Sequence, residues 1–272
     1  MFFPQFFYRN LFGALAQSIH HGKKIKANMS KIYNNDFFFF HKENSYQAAK
    51  LIVPIILDTF VINSVIDVGC GDGSWLRVFL DHGINNICGY DLSDLKQEAY
   101  LVNKKFLETN YNFTSIDFSI KRKYDLLICL EVVEHLPRKI SKDFIKKISN
   151  VSPLILFSAA IPGQKGTGHI NEQVPSYWRK LFNDNDFVEI DFIKPLLWKN
   201  AKIAWWYRQN ITMYISRPFL DSSVKLKELA NLYPQLNENE NLVLISERIL
   251  QQYSFSITRK LINYIKKYKW KI

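Results

Sequence analysis

The chain has 272 residues, 47% of them apolar and 22% charged, and a formal net charge of +11. That balance belongs to a globular protein with a substantial core, and it excludes a disordered, collagen-like or disulfide-dense chain. The excess charge lies wholly at the ends: residues 1–35 carry five basic residues and no acid, residues 249–272 carry six and no acid, and 36–248 balances 25 basic against 25 acidic residues. A basic cleft tracking a polyanion through the body is therefore not expected.

The opening MFFPQFFYRNLF is apolar but broken by Pro4, Gln5, Arg9 and Asn10, without the basic start and small-residue cleavage site of a signal peptide. No uninterrupted apolar run reaches the roughly 18 residues of a spanning helix. The expectation is a cytoplasmic protein, at most peripheral at a membrane surface, with an aromatic and basic leader over 1–44. Cys70, Cys88 and Cys129 lie in apolar strand-like runs with no C-x-x-C pair, as reduced, buried thiols would. Residues 46–60 read as a helix, with Ala49, Ile52, Val53, Ile56 and Leu57 on one face.

From residue 64 strand and helix patterns alternate. Strands are predicted over 64–68, 87–90, 114–116, 124–130, 154–159 and 188–193, with helices over 75–81, 94–107, 139–150 and 175–185, the last opened by Pro175 at its first turn. The alternating stretch 210–216 reads as an antiparallel edge strand. This order predicts an α/β fold with a doubly wound parallel sheet over 45–217. Helices over 222–232, 242–252 and 257–268 would form a C-terminal helical extension, 218–272.

The most informative stretch is SVIDVGCGDGSW, 64–75, which sets Gly69, Gly71 and Gly73 between strand and helix, where α/β sheets bind ligands. A dinucleotide fingerprint would read G-x-G-x-x-G and cradle a pyrophosphate. Here the turn reads D-x-G-x-G-x-G, and Asp67 and Asp72 would repel a pyrophosphate but suit a cation such as the sulfonium and ammonium of S-adenosylmethionine. Asp91 ends the second strand, where a carboxylate can accept two hydrogen bonds from a ribose diol or cap the following helix. These residues resemble motif I of the class I S-adenosylmethionine-dependent methyltransferases. The resemblance implies S-adenosylmethionine as cofactor and a Rossmann-like seven-stranded sheet with its last strand antiparallel. It also implies, by position, that Asp117 faces the adenine amino group and that Glu131 lies beside the cofactor.

YDLLICLEVVEHLP, 124–137, resembles motif IV and the segment after it in the same family. Glu131, Glu134 and His135 stand at i, i+3 and i+4 and would share one side if the backbone turned helical after Cys129. Three roles are open. The glutamates would cap a helix, or His135 would act as a general base, or Glu131, Glu134 and His135 together with His169 would hold a divalent metal such as Mg²⁺. The last pattern resembles small-RNA 3′-terminal ribose 2′-O-methyltransferases, and its first part ubiquinone-pathway O-methyltransferases. A histidine acting without metal is the preferred reading.

Residues 158–178 and 194–210 resemble a branch of methyltransferase-domain proteins encoded among glycan-assembly enzymes, through their IPGQ, HINEQ-P-SYW and WWY-QN blocks. Trp205, Trp206 and Tyr207 would either stack on a sugar face or pack in the core, while Asn171, Glu172, Gln173, Gln209 and Asn210 would bond hydroxyls. The expected activity is O-methylation of a saccharide or related small metabolite, with His135 or His169 removing the proton and Glu131 alongside. The alternatives are metal-assisted ribose 2′-O-methylation of RNA and a non-catalytic S-adenosylmethionine-binding scaffold. The basic ends would meet a membrane surface or an acidic partner, and nucleic acid is not favoured as a partner.

Overall fold

The computed structural model describes residues 35–92, 94, 100–115, 119–235, 241–242 and 270–271, and for 35–42, 241–242 and 270–271 the backbone only. The leader 1–34, most of the stretch expected as helices over 242–252 and 257–268, and Asp117 lie outside the described residues.

Seven strands form one sheet in the order β3-β2-β1-β4-β5-β7-β6: β1 Ser64–Val68, β2 Asn86–Tyr90, β3 Leu107–Glu108, β4 Leu126–Leu130, β5 Leu154–Ser158, β6 Phe187–Ile190 and β7 Thr212–Ser216. Pairing is parallel from β3 through β5, and β7 runs antiparallel to both of its neighbours. The Rossmann-like sheet with its last strand reversed is therefore present. β7 is not the edge: it is inserted between β5 and β6, and both of its faces are covered.

Both faces of the sheet are apolar, because alternate residues of each central strand feed two separate cores. Leu126, Ile128, Leu154, Leu156, Met213 and Ile215 face one core, and Leu127, Cys129, Ile155, Phe157 and Tyr214 face the other. The first core is closed by α1 (Asn35–Thr59), α2 (Ser74–Asp81), the short helices α5 (Ile193–Leu197) and α6 (Trp205–Asn210), and Leu226 of α8 (Val224–Leu232). The second is closed by α3 (Ser141–Ser149) and α4 (Pro175–Asn183). A short α7 (Arg217–Asp221) joins β7 to α8. Since Leu226 is buried in the first core, the start of the C-terminal extension packs on the sheet domain. Asn241–Leu242 and Trp270–Lys271 pair as two short parallel strands.

Three local expectations need correction. α1 begins at Asn35, so the four-phenylalanine run and the expected boundary at residue 44 both fall inside it. The third strand is Leu107–Glu108, not 114–116. Thr114 sits in a turn, where Asn112 Oδ1 accepts from the Thr114 amide at 2.9 Å and from its hydroxyl at 2.7 Å. Where a helix was expected over 94–107, residues 100–103 are not helical. The Leu101 amide donates to the Asp72 carbonyl, and Asn103 caps a single 3₁₀ turn at Lys104–Phe106. Among the described residues no helix is long and apolar enough to cross a membrane.

Candidate functional site

The turn from β1 into α2 is built by glycines in left-handed conformation, at φ 86° for Gly69 and 80° for Gly73. A Cβ on Gly69 would collide with Val132, and one on Gly73 would approach Val102 Cγ2 to 2.6 Å. These two glycines thus let the turn close against the loops after β4 and before β3.

Most of the turn's amides are already spent. Gly69 and Cys70 donate to the Tyr90 carbonyl, Gly73 to the Cys70 carbonyl, Gly71 to Asp91 Oδ2 at 2.8 Å, and Ser74 to Asp72 Oδ1 at 3.0 Å. Ser74 Oγ donates to the same Asp72 oxygen at 2.6 Å, so a carboxylate already stands at the positive end of α2. A phosphate would find few open donors here and a helix end already faced by a carboxylate.

What the turn offers instead is negative charge in a dry setting. Asp67, Asp72 and Asp91 are all buried. Burial, then the charges of Asp91 and Asp72, pushes the Asp67 carboxyl well above the usual carboxylate range. A ligand with a cationic centre and a ribose diol fits this arrangement, because it returns to the carboxylates the stabilisation that burial removed.

Asp67 and Asp72 border a cavity of about 400 Å³ at the carboxyl ends of β1 and β4, and Asp91 stands behind its wall, holding the Gly71 amide. Asp67, Gly69, Cys70, Gly71, Asp72 and Trp75 form one wall, Glu131, His135 and His169 the floor, Gln164 to Thr167 a covering loop, and Trp205 to Tyr207 the far side. Ser45 of α1 closes the remaining side, its Oγ 3.0 Å from the Tyr207 hydroxyl. Sequence reasoning missed Ser45 and Trp75 as lining residues, since neither carries a spacing signal, and gave Gln164 no role beyond its place in the IPGQ block.

After β4 the backbone does not turn into an α-helix. Glu131 adopts a left-handed conformation at φ 55°, its amide donating to the carbonyl and hydroxyl of Ser158, and only a 3₁₀ turn follows at Val133–His135. The two glutamates therefore part. Glu131 accepts from Asn210 Nδ2 and Gln164 Nε2, each at 3.1 Å, and burial raises its pKa against the lowering effect of these bonds. Glu134 points inward, fully buried, and accepts from the Ala160 amide. Burial and then the Glu131 charge push its pKa well above the usual range.

His135 and His169 do meet, with ring centroids 4.9 Å apart. Their nitrogens and a Glu134 oxygen lie within 4.8 Å of one another, so among the described residues the four-residue metal cluster expected from sequence contracts to three, with Glu131 outside it. The chemistry of that set fits a hard divalent cation poorly, because it offers one carboxyl group beside two imidazoles and Glu131 is committed to two amides. Burial and the neighbouring His169 lower the His135 pKa to about 4.

The residues expected to bond sugar hydroxyls divide. Asn171 is buried and donates to Ser141 Oγ and the Val133 carbonyl, and Gln209 is buried and donates to Gln164 and Asn210, so both brace the site from behind. Tyr207 is buried against Trp75 at 5.7 Å, while Trp205 and Trp206 remain partly exposed on the cavity wall.

A family model described as a methyltransferase domain matches residues 39–155. Over 125 residues the chain is 27% identical to a ubiquinone biosynthesis O-methyltransferase of Rickettsia typhi, an alignment covering 44% of this chain. The chain spans half the length of that relative. Among solved structures, magnesium protoporphyrin IX methyltransferase from Synechocystis is similar at a TM-score of 0.47 and 17% identity, covering 75% of this chain and 99% of that one. The sugar N-methyltransferase KedS8 from a Streptoalloteichus species is similar at 0.49 and 12% identity, covering 67% and 92%.

Proposed function

From the premise that the chain carries a class I S-adenosylmethionine-dependent methyltransferase domain, we propose that it methylates a hydroxyl oxygen of a saccharide or related small metabolite. The observation that carries this reading is that Asp67 and Asp72, with the Gly71 wall that Asp91 holds from behind, border the same cavity as His135, His169, Trp205 and Trp206.

When bound, S-adenosylmethionine supplies a methyl group already activated by its sulfonium, so the protein's task is alignment and proton removal. Asp91 would hold the ribose diol while its Oδ2 keeps the Gly71 amide in place. Asp67 and Asp72 would face the cationic end. Glu131, fixed by Asn210 and Gln164, shapes the floor under the transferring group. Trp205 and Trp206 offer apolar faces on which a sugar ring can stack, and the histidine pair stands where an acceptor hydroxyl would lose its proton.

The near-balance of charge over 36–248 does not favour a nucleic acid acceptor, and the basic ends would engage an acidic partner or an anionic membrane surface. The test is an acceptor screen with radiolabelled S-adenosylmethionine across sugars, nucleotide-sugars, quinone precursors and RNA, with and without chelator. Label in a saccharide or small metabolite, undiminished by chelator, supports the reading. Label only in RNA, or none with any acceptor despite cofactor binding, sinks it.

A further inference from the structure

We propose that Glu172 is the positioning residue for His169, holding its ring as the Nδ1–H tautomer so that Nε2 is the atom that takes the acceptor's proton. The inference rests on the O-methyl transfer proposed above and assigns a base within it.

The geometry begins with a carboxylate fixed at both oxygens. Glu172 Oε2 accepts from the Gly163 amide at 2.8 Å, and Oε1 lies 2.9 Å from His169 Nδ1. Both side chains are largely shielded, at 12% and 18% exposure, so the contact is not a solvated surface pair. An ionised carboxylate only accepts, so Nδ1 must carry the hydrogen and the Nε2 lone pair is left bare. A glycine lies against the face of that ring. A Cβ on Gly166 would collide with Nε2, Cε1 and Cδ2 of His169 together, so only the missing side chain lets the covering loop pass over the imidazole face and fix its plane. His169 and Gly166 both line the cavity shared with the acidic cradle.

His135 is the weaker candidate for the same task, because its lowered pKa makes it a poor proton acceptor near neutral pH. Its neutrality serves the neighbour instead: a proton arriving on His169 does not meet a second cation across the 4.9 Å between the rings. In the step, a lone pair of the acceptor oxygen forms the C–O bond, the C–S bonding pair returns to sulfur, and the hydroxyl proton passes to His169 Nε2. The imidazolium so formed presents Nδ1–H to the Glu172 carboxylate, which stabilises the charge as it develops.

Long-range ¹H–¹⁵N spectra of histidine-labelled full-length protein read the tautomer directly, with His169 assigned by its loss in His169→Asn. We expect Nδ1–H in the wild type and a shift toward Nε2–H in Glu172→Ala, with Glu172→Gln as a second variant that keeps an acceptor for Gly163. In turnover with an acceptor found by the screen, Glu172→Gln should lose roughly 10- to 100-fold in kcat with KM and cofactor affinity within about twofold, and Glu172→Asp should recover part of the loss. An Nε2–H tautomer in the wild type, or unchanged kcat in Glu172→Gln, overturns the assignment. If the wild type methylates no acceptor, the base role falls with the O-methyl reading, while the tautomer still shows separately whether Glu172 positions the ring.

Discussion

His135 and His169 meet edge to face, with ring centroids 4.9 Å apart and planes at 77°. Burial first, and then the charge of the neighbouring His169, keeps His135 neutral to about pH 4, against an ordinary value of 6.5. The unfolded chain takes up that proton near pH 6.5 and the folded one does not, so stability supplied by neutral His135 is present above pH 6.5 and is lost as pH falls toward 4. The loss should reach at most about 3 kcal/mol, since the ring retains some access to the cavity. Urea unfolding of wild type and His135→Gln at pH 7, 5.5 and 4.5 should show a flatter dependence in the variant, and parallel curves would refute the assignment.

Asp67, Asp72 and Asp91 crowd one buried corner, and Asp67 binds its proton more tightly than an ordinary carboxyl. A cationic ligand favours the ionised form, so binding should expel a proton and tighten as pH rises through the titration of the free protein. Calorimetric titration with S-adenosylmethionine in two buffers of unlike ionisation enthalpy should give different apparent enthalpies at acidic pH. Asp67→Asn should shrink that difference, and buffer-independent heats in the wild type would remove the cation argument.

In the proposed cofactor pose Asp91 takes the ribose diol, and its Oδ2 accepts the Gly71 amide at 2.8 Å. Asp91→Ala orphans that amide and deletes the ribose acceptor, which together should cost on the order of 2–4 kcal/mol of cofactor affinity, or about 30- to 1,000-fold in Kd. Calorimetry giving an unchanged Kd would mean that the cofactor lies elsewhere.

Arg179 on α4 and Glu189 on β6 form a buried pair, Nε to Oε2 at 2.6 Å, under the second core. Arg179→Met strands the Glu189 charge and should destabilise the fold by about 3–5 kcal/mol, whereas Arg179→Met with Glu189→Leu should recover much of that loss. Equal denaturation midpoints for the single and double variants would show that the charge is not what matters there.

The β1–turn–α2 unit was legible because strand, glycines and helix follow one another within a dozen residues, and each local preference agrees with the next. The central strands were legible for a related reason: both faces are buried, so 126–130 and 154–158 are almost unbroken apolar runs. β3 was not legible. It is two residues long and only half-buried, and neither periodicity nor composition marks Leu107–Glu108 against the β-branched Thr114 that a turn claims. Nor could spacing reveal the fate of Glu131, since Glu131, Glu134 and His135 stand at helical intervals while the Ser158 contacts hold Glu131 left-handed.

By itself, then, the sequence determined the glycine-rich turn between β1 and α2 with its acidic flanks, and the alternating order that makes a doubly wound sheet, because these depend on neighbours in the chain. Tertiary structure alone decided which acidic groups are free to act. Asn210 and Gln164, 79 and 33 residues away from Glu131, secure one glutamate, burial against Ala160 removes another, and Glu172 is brought to His169 while Gly166 packs on the imidazole face. A carboxyl group's role follows from its desolvation and its partners, and both are supplied by segments far from it in sequence.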